Sequence, residues 1–453
     1  MSLFDHRWLT NATLQLDMDG IRRGLYSDRY FANVRDVLAA ADAEGYRFAG
    51  HHPRSLPPGV AEVEIGHLVV EAQVFSRRPP YTLVAGMDAA LAILRHATGY
   101  FDGATFVETW NALEVEAVED GTLAPYGGEP AQVTPVLRIR GRYRDFALLE
   151  TVYLGVLTRA SRIATNVYNV ARVANGKPLL FFPARFDLHS VQANDGYAYW
   201  IGIQRANLDF GFQTRPAVST DAQAAWWGGR GVGTIPHALI ASFLGDTAEA
   251  TVAFARTLPV EVPRIALVDF HNDTTRDSVA TLAAFWPHYR EAWRSGDTEA
   301  QRRWTLNGVR LDTSGNMRDA ALQPDGPKGV NPALVRAVRA ALDNAWRGWS
   351  LAPDEVEVAR HSADRCRSSS PAVSTAKRWR ASRRTPCRWT STASARPSSA
   401  TTRKRAPIIR WTLCACASPT PGSTWRKRAA RRMITRTCAV WAWSTFSPVD
   451  SVG

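Results

Sequence analysis

The rhythm of hydrophobic positions changes near residue 147. Before it, short segments alternate between two periods. Asp28 to Leu38 carries Phe31, Val34 and Leu38 at helical spacing, with Asp28 placed to act as an N-cap. Val60 to Phe75 alternates as strand material, Met87 to Thr98 is an Ala/Leu-rich helix pattern, and Val133 to Tyr143 again alternates like a strand. The pattern predicts an α+β domain over residues 1–135. After residue 147, helices are predicted over Leu148–Ala174, Asp195–Asn207, Ile235–Leu244, Ser278–Ala292 and Asn331–Trp349. Short apolar strands fall between them at Pro178–Phe182, Arg264–Asp269 and Gly308–Leu311. Alternation of this kind predicts an α/β fold, a parallel sheet or barrel with crossover helices, over residues 136–360.

In such folds chemistry collects where strands end. The run LLFF is followed by Pro183, Ala184 and Arg185; IALV by Asp269 and then His271, Asn272 and Asp273; VRL by Asp312, Thr313 and Ser314. One polar strand end is an ordinary cap, whereas three in succession point to a site. The segment GGRGVGTIPH at 228–237 adds a glycine-rich turn before a helix, with His237 at its start. Backbone N–H groups at such a start favour anions, although an ordinary loop has the same look.

Charge divides the chain again. It carries 55 Lys+Arg against 42 Asp+Glu, a net +13. Residues 361–453 hold 19 of the basic residues, only Asp364 and Asp450 as acids, and all five cysteines. The first 360 residues are therefore mildly acidic at −4 and free of cysteine, so the average charge assigns no nucleic-acid or membrane partner to the body. No apolar run approaches the roughly 20 residues of a membrane span. The start lacks a basic segment followed by an apolar one, so a cytoplasmic location is expected.

The tail, 361–453, has 27 Ser+Thr but one Leu and two Gly, with Trp379, Trp389, Trp411, Trp425, Trp441 and Trp443 scattered through it. Cys414 and Cys416 lack the spacing of a zinc site. One reading is a disordered basic extension that binds nucleic acid, though such tails are poor in Trp and Cys. The other is out-of-frame translation of GC-rich coding sequence. With codons chosen freely, one constant shift turns Arg380–Ser398 into RFEADAVPVDVYGVGASV, Arg365–Ser374 into a stretch containing VVVSGGF, and Val440–Asp450 into VGLVDLFTGG.

The runs SDRYF at 27–31, ETVYLGVL at 150–157, SRIAT at 161–165, FFPAR at 181–185, VGTIPHALI at 232–240, LVDF at 267–270 and VRLDT at 309–313 together resemble nicotinate phosphoribosyltransferase, a type II phosphoribosyltransferase. The resemblance implies an irregular α/β barrel with an N-terminal α+β domain, and a homodimer with the active site at the subunit interface. It implies transfer of phosphoribose from phosphoribosyl pyrophosphate to nicotinate, with Mg²⁺ and coupled ATP hydrolysis. Residue by residue, it places Arg185 on the nicotinate or phosphate side and sandwiches the pyridine between Phe182 and Tyr30, the latter from the partner subunit. It gives Arg310 and Asp312 the ribose and pyrophosphate contacts, Asp312 also a metal role, and Asp269 a second metal or ribose role. His237 becomes the residue phosphorylated from ATP, and Thr234 and Thr313 substrate contacts.

Such chemistry suits these residue types. Ribose C1 gains positive charge as pyrophosphate leaves, so the enzyme's contribution is positioning and electrostatics, and arginine suits forked contacts to phosphate or carboxylate. Each residue also has a plain reading: Tyr30 and Phe182 as core aromatics, Arg310 as half of an ion pair, His237 as a hydrogen-bonded helix start. Glu150 and Thr151 read as helix-opening residues outside the site. Pro183 stands where the family commonly has Gly, which restricts the backbone beside Arg185. The family's SGG turn and GVGS-like phosphate loop are absent after about residue 355 as written and emerge in the shifted frame. Impaired activity is therefore expected of this polypeptide. Quinolinate or nicotinamide phosphoribosyltransferase, and an inactive protein with a nucleic-acid-binding tail, remain the alternatives; for the body no nucleic-acid or membrane partner is expected.

Overall fold

The computed structural model describes Phe4 and residues 11–50, 63–129, 131–369 and 412–415 of the 453. The described residues divide into two compact units: those within 1–165, 193–201 and 412–415 form one, and those within 166–192 and 202–369 the other.

The first unit begins with helices α1 (Asn11–Leu14), α2 (Met18–Arg23) and α3 (Arg29–Ala43). Asp17 caps α2 by accepting from the Gly20 N–H at 3.0 Å, and Gly24 ends it at φ 78°. Asp28 holds the N-cap position of α3 as predicted, but its carboxylate makes no cap hydrogen bond. It accepts instead from Thr151 Oγ1 at 3.1 Å. Strands β1 (Val69–Phe75) and β2 (Tyr81–Leu83) lead to helix α4 (Met87–Ala97). Then come β3 (Gly99–Asp102), β4 (Thr105–Glu108), β5 (Glu114–Ala117), β6 (Leu123–Pro125) and β7 (Pro135–Arg142). Helix α5 (Tyr143–Phe146) precedes the long α6 (Glu150–Ala174).

The antiparallel sheet runs Thr412–Ala415, β1, β7, β5. Val70, Ala72 and Val74 alternate inward from β1 opposite Gly141, Ile139 and Leu137 of β7, as a half-buried strand requires. Because β7 is internal to this sheet, the boundary expected at 135/136 falls later, at 165 within α6. Ser161 and Thr165 of α6 bind the backbone N–H groups of Ala85 and Leu83 at 3.1 and 2.9 Å, fixing helix to strand end. Helix α7 (Gln192–Phe210) returns residues 193–201 to this unit, where Tyr197 donates to buried Asp120 at 2.9 Å.

The second unit contains β8 (Leu180–Phe181) and β9 (Ala217–Val218), short helices α8 (Asp221–Ala224) and α9 (His237–Ser242), and α10 (Thr247–Thr257). These are followed by β10 (Ile265–Leu267), α11 (Thr274–Ser295), α12 (Thr298–Arg303) and β11 (Gly308–Arg310). Helices α13 (Pro332–Ala345) and α14 (Val356–Arg365) and strand β12 (Arg367–Ser369) complete it. Among the described residues the strands form two parallel sheets, β8 with β9 and β10-β11-β12, and not a closed ring. Gly308 permits the close approach of β12, since a Cβ there would lie 2.6 Å from the Arg367 carbonyl oxygen.

The core unites Val268, Phe285, Val309, Leu311, Leu334, Val338, Ala363 and Cys366. This corrects the tail boundary at 361. Helix α14 carries Ser362 and Ala363 inward, Cys366 is fully buried, and Arg339 of α13 donates to the carbonyls of Ala363 and Cys366. The structured unit thus reaches residue 369, and the rest of the expected tail, apart from Thr412–Ala415, lies outside the described residues.

One buried cation braces the start of β10. Arg264 is fully buried and donates to the carbonyls of Pro259, Val262, Ala255 and Leu258, gathering the turn after α10. Its own N–H donates to Asn307 Oδ1 at 2.7 Å, and its carbonyl accepts from Asn307 and Gly308, which sets the β10–β11 register. Arg264→Ala strands those carbonyls and is expected to cost about 3–5 kcal/mol. Urea unfolding checks this; a loss under about 1 kcal/mol would mean that the bonds are dispensable.

Candidate active site

Strands β10 and β11 pair in parallel, with Leu267 opposite Arg310, and the Val268 N–H donates to the Arg310 carbonyl at 3.3 Å. Parallel pairing brings both C-terminal ends to the same edge, so Asp269, Arg310 and Asp312 emerge together. Beneath them Ala266, Leu267, Val268, Val309 and Leu311 are wholly buried, which gives these charges a rigid apolar floor.

Arg310 is the centre of the group. Its Nη1 donates to Thr234 Oγ1 at 2.8 Å and its Nη2 lies 3.6 Å from Asp312 Oδ2. Burial holds its pKa below the usual arginine range; Asp312 and Asp269 oppose that shift, and the nearby Arg185 adds to it. Its Nε and the hydroxyl of Thr313, a residue only 6% exposed, are buried without a hydrogen-bond partner among the described residues. Asp269 is pushed above the ordinary carboxylate range by burial, with help from Asp312, while His237 pulls it back. His237 opens α9, with Nε2 3.1 Å from Asp269 Oδ1 and its ring 6.3 Å from that of Phe270. With Asp269 ionised, Nε2 carries the donated proton and the Nδ1 lone pair is free for chemistry.

The second unit therefore brings together His237, Thr234, Asp269, Arg310, Asp312 and Thr313, with Arg185 in electrostatic range. Phe182 and Arg185 follow β8; Phe182 is half-buried and Arg185 exposed, while Phe181 fills the core. Tyr30 lies in the other unit, on α3, 58% exposed, its hydroxyl donating to Asp28 Oδ2 at 3.2 Å. The glycine-rich turn is less open than its sequence suggests. The N–H groups of Gly228, Gly229, Gly231 and Val232 are bound by Ala225, Ala224, the Asp221 side chain and Val218. Its contribution is the side chains of Thr234 and His237.

Two acidic residues escaped sequence reasoning. Asp319 is 1% exposed and accepts from the Thr274 and Ala321 N–H groups at 3.1 and 2.9 Å, while Asn272, at φ 56°, donates to the Arg318 carbonyl at 2.5 Å. These bonds tie the loop after β10 to the loop after β11. Glu150, set aside as a helix-opening residue, sits beside Asp28, Tyr30, Tyr143 and Tyr153 in the first unit, and burial, followed by the charge of Asp28, pushes it up to about 8. Only the acidic residue at the mouth of a long helix marked it in sequence. No group of three or more His, Cys, Asp or Glu side chains among the described residues forms a metal cage, and no described helix is long and apolar enough to cross a membrane.

Residues 60–161 match the family model of the quinolinate phosphoribosyl transferase N-terminal domain. Among solved structures the chain is similar to nicotinate-nucleotide pyrophosphorylase from Pyrococcus furiosus, at 21% identity over 88% of this chain and 77% of that one, with a TM-score of 0.57. It is also similar to human nicotinic acid phosphoribosyltransferase, at 16% identity over 86% and 74%, with a TM-score of 0.47. The likeness to the archaeal protein establishes a shared fold.

The raised pKa of Glu150 has a sign that stability measurements read. Between its ordinary 4.5 and about 8 the folded chain holds a proton that the unfolded chain has released, so stability falls as pH rises through that window. Glu150→Gln should match the parent near pH 4.5 and exceed it by about 2–4 kcal/mol at pH 8. Parallel pH profiles of the two would disprove a buried, proton-holding Glu150.

Proposed function

We propose that the chain is a phosphoribosyltransferase of pyridine nucleotide synthesis that joins nicotinate to phosphoribosyl pyrophosphate and releases pyrophosphate. The observation that carries this reading is the largely buried Arg310, flanked by Asp269, Asp312 and Thr234, with its Nε and the Thr313 hydroxyl unpartnered among the described residues. A buried guanidinium with spare donor capacity suits an anionic ligand. Arg310 and Arg185 would draw pyrophosphate away from ribose C1, and Asp269 and Asp312 would hold ribose hydroxyls and face the positive charge growing at C1. Phe182 would pack on the pyridine ring. Tyr30, exposed on the first unit, would cover its other face from a second copy in a cytoplasmic homodimer.

The donor set fits Mg²⁺. Asp269 and Asp312 are near enough that one raises the pKa of the other, and Mg²⁺ takes one or two carboxylates together with substrate phosphates in place of an all-protein cage. Bound there, it would neutralise pyrophosphate charge. His237, its Nε2 proton held by Asp269, would take the terminal phosphoryl group of ATP on Nδ1, coupling ATP hydrolysis to transfer. Quinolinate is the second reading, favoured by the family model that matches residues 60–161.

The out-of-frame reading of the tail belongs to the same proposal. Strand β12 is Arg-Ser-Ser beside the fully buried Val309 of β11, whereas parallel strands in this setting are normally apolar. The shifted frame puts VVVSGG there. The polypeptide as written should turn over poorly, and a frame-restored chain should make nicotinate mononucleotide, with nicotinamide and quinolinate as the comparison bases. Normal turnover by the polypeptide as written would reject the out-of-frame reading, and quinolinate as the best base would reassign the substrate.

A pH profile tests the carboxylate pair. Asp269, raised by burial and by Asp312, places the acid limb of activity above the ordinary carboxylate range. Asp312→Asn removes the repelling charge, so the residual activity of the frame-restored variant should keep its acid limb to lower pH. A limb that stays put or moves up would rule out the coupling.

A further inference from the structure

A second concentration of unbalanced positive charge lies wholly within the first unit. A small cavity, partly open to solvent, is bounded by the end of β1, the connection to β2, β7 and the middle of α6. Its walls include Val74, Val136 and Leu157, all at least nine-tenths buried. Its polar hydroxyls are largely committed: Ser76 Oγ and Thr82 Oγ1 share a 2.7 Å bond, and Ser161 Oγ accepts from the Ala85 N–H and donates to its carbonyl, both at 3.1 Å.

Two guanidinium groups, Arg78 and Arg162, line the same cavity. Neither has a carboxylate partner among the described residues, and Arg162 Nε is buried without a hydrogen bond. Burial and the neighbouring Arg162 hold Arg78 below the usual arginine range. Structural arginines at such depth are normally paired, as Arg264 is through its donations to four backbone carbonyls. Two like charges beside an apolar cavity are a cost to the empty fold that a bound anion would relieve.

We propose that this cavity binds a small organic carboxylate, its carboxylate held between Arg78 and Arg162 and its apolar body lying against Val74, Val136 and Leu157. The apolar walls favour an organic acid over an inorganic anion. This site shares no residue with the one at the ends of β10 and β11, and it stands whether or not that site transfers phosphoribose.

Calorimetric titration of the full chain with 4-methylpentanoate, 4-methylpentanamide and inorganic phosphate tests it. The acid should bind at least about tenfold tighter than the isosteric amide or phosphate, and Arg162→Gln should weaken it by about tenfold or more. Arg310→Gln should leave its affinity unchanged. The acid and amide comparison needs no variant, so it decides the matter even if Arg162→Gln does not fold. An acid that binds no better than the amide or phosphate, is indifferent to Arg162→Gln, or is lost in Arg310→Gln would overturn the proposal.

Discussion

Burial makes the charges of Asp269 and Arg310 depend on their neighbours, the exposed Asp312 among them. Each of the two would be costly alone above the apolar floor of β10 and β11. Together, the guanidinium has a hydroxyl acceptor in Thr234 and a loose ion pair with Asp312, and Asp269 has the His237 imidazole. The compensation is incomplete, as the unpartnered Arg310 Nε and Thr313 hydroxyl show. Those two groups keep donor capacity that a ligand at the strand ends can use.

The rest of the second unit serves that arrangement. Arg264 and Asn307 pin the N-terminal ends of β10 and β11 in register, and Asn272 and Asp319 pin the loops at their C-terminal ends. The charged groups of the candidate site therefore sit on strands clamped at both ends, the condition under which preorganised electrostatics is most effective. The first unit follows a different logic, with an antiparallel sheet, an exposed Tyr30 and a cavity whose arginines no carboxylate neutralises among the described residues.

Much of the candidate site's placement was legible because strand termini announce themselves: an apolar run closed by Asp269, or by Asp312 and Thr313, carries both the strand and its polar end in a few adjacent letters. What escaped depends on contacts distant in sequence. The burial that raises Glu150 comes from packing that no local pattern encodes, and Asp319 acts through backbone groups far along the chain. The glycine-rich run suggested open N–H groups, yet Asp221 and Val218 occupy two of them. The change of composition at residue 361 concealed that Cys366 fills the core, since burial follows where α14 packs and not the average character of the segment. The domain boundary moved for the same reason: β7 belongs to the sheet it pairs with.

The central claim is that Arg310 anchors a phosphorylated anion at the ends of β10 and β11, and binding tests it without requiring turnover. Calorimetric titration with phosphoribosyl pyrophosphate and Mg²⁺ should show saturable binding to the chain, weakened by at least about tenfold in Arg310→Gln, the loss of a charge-assisted contact. Equal affinity in the two proteins, with the variant folded, would contradict it.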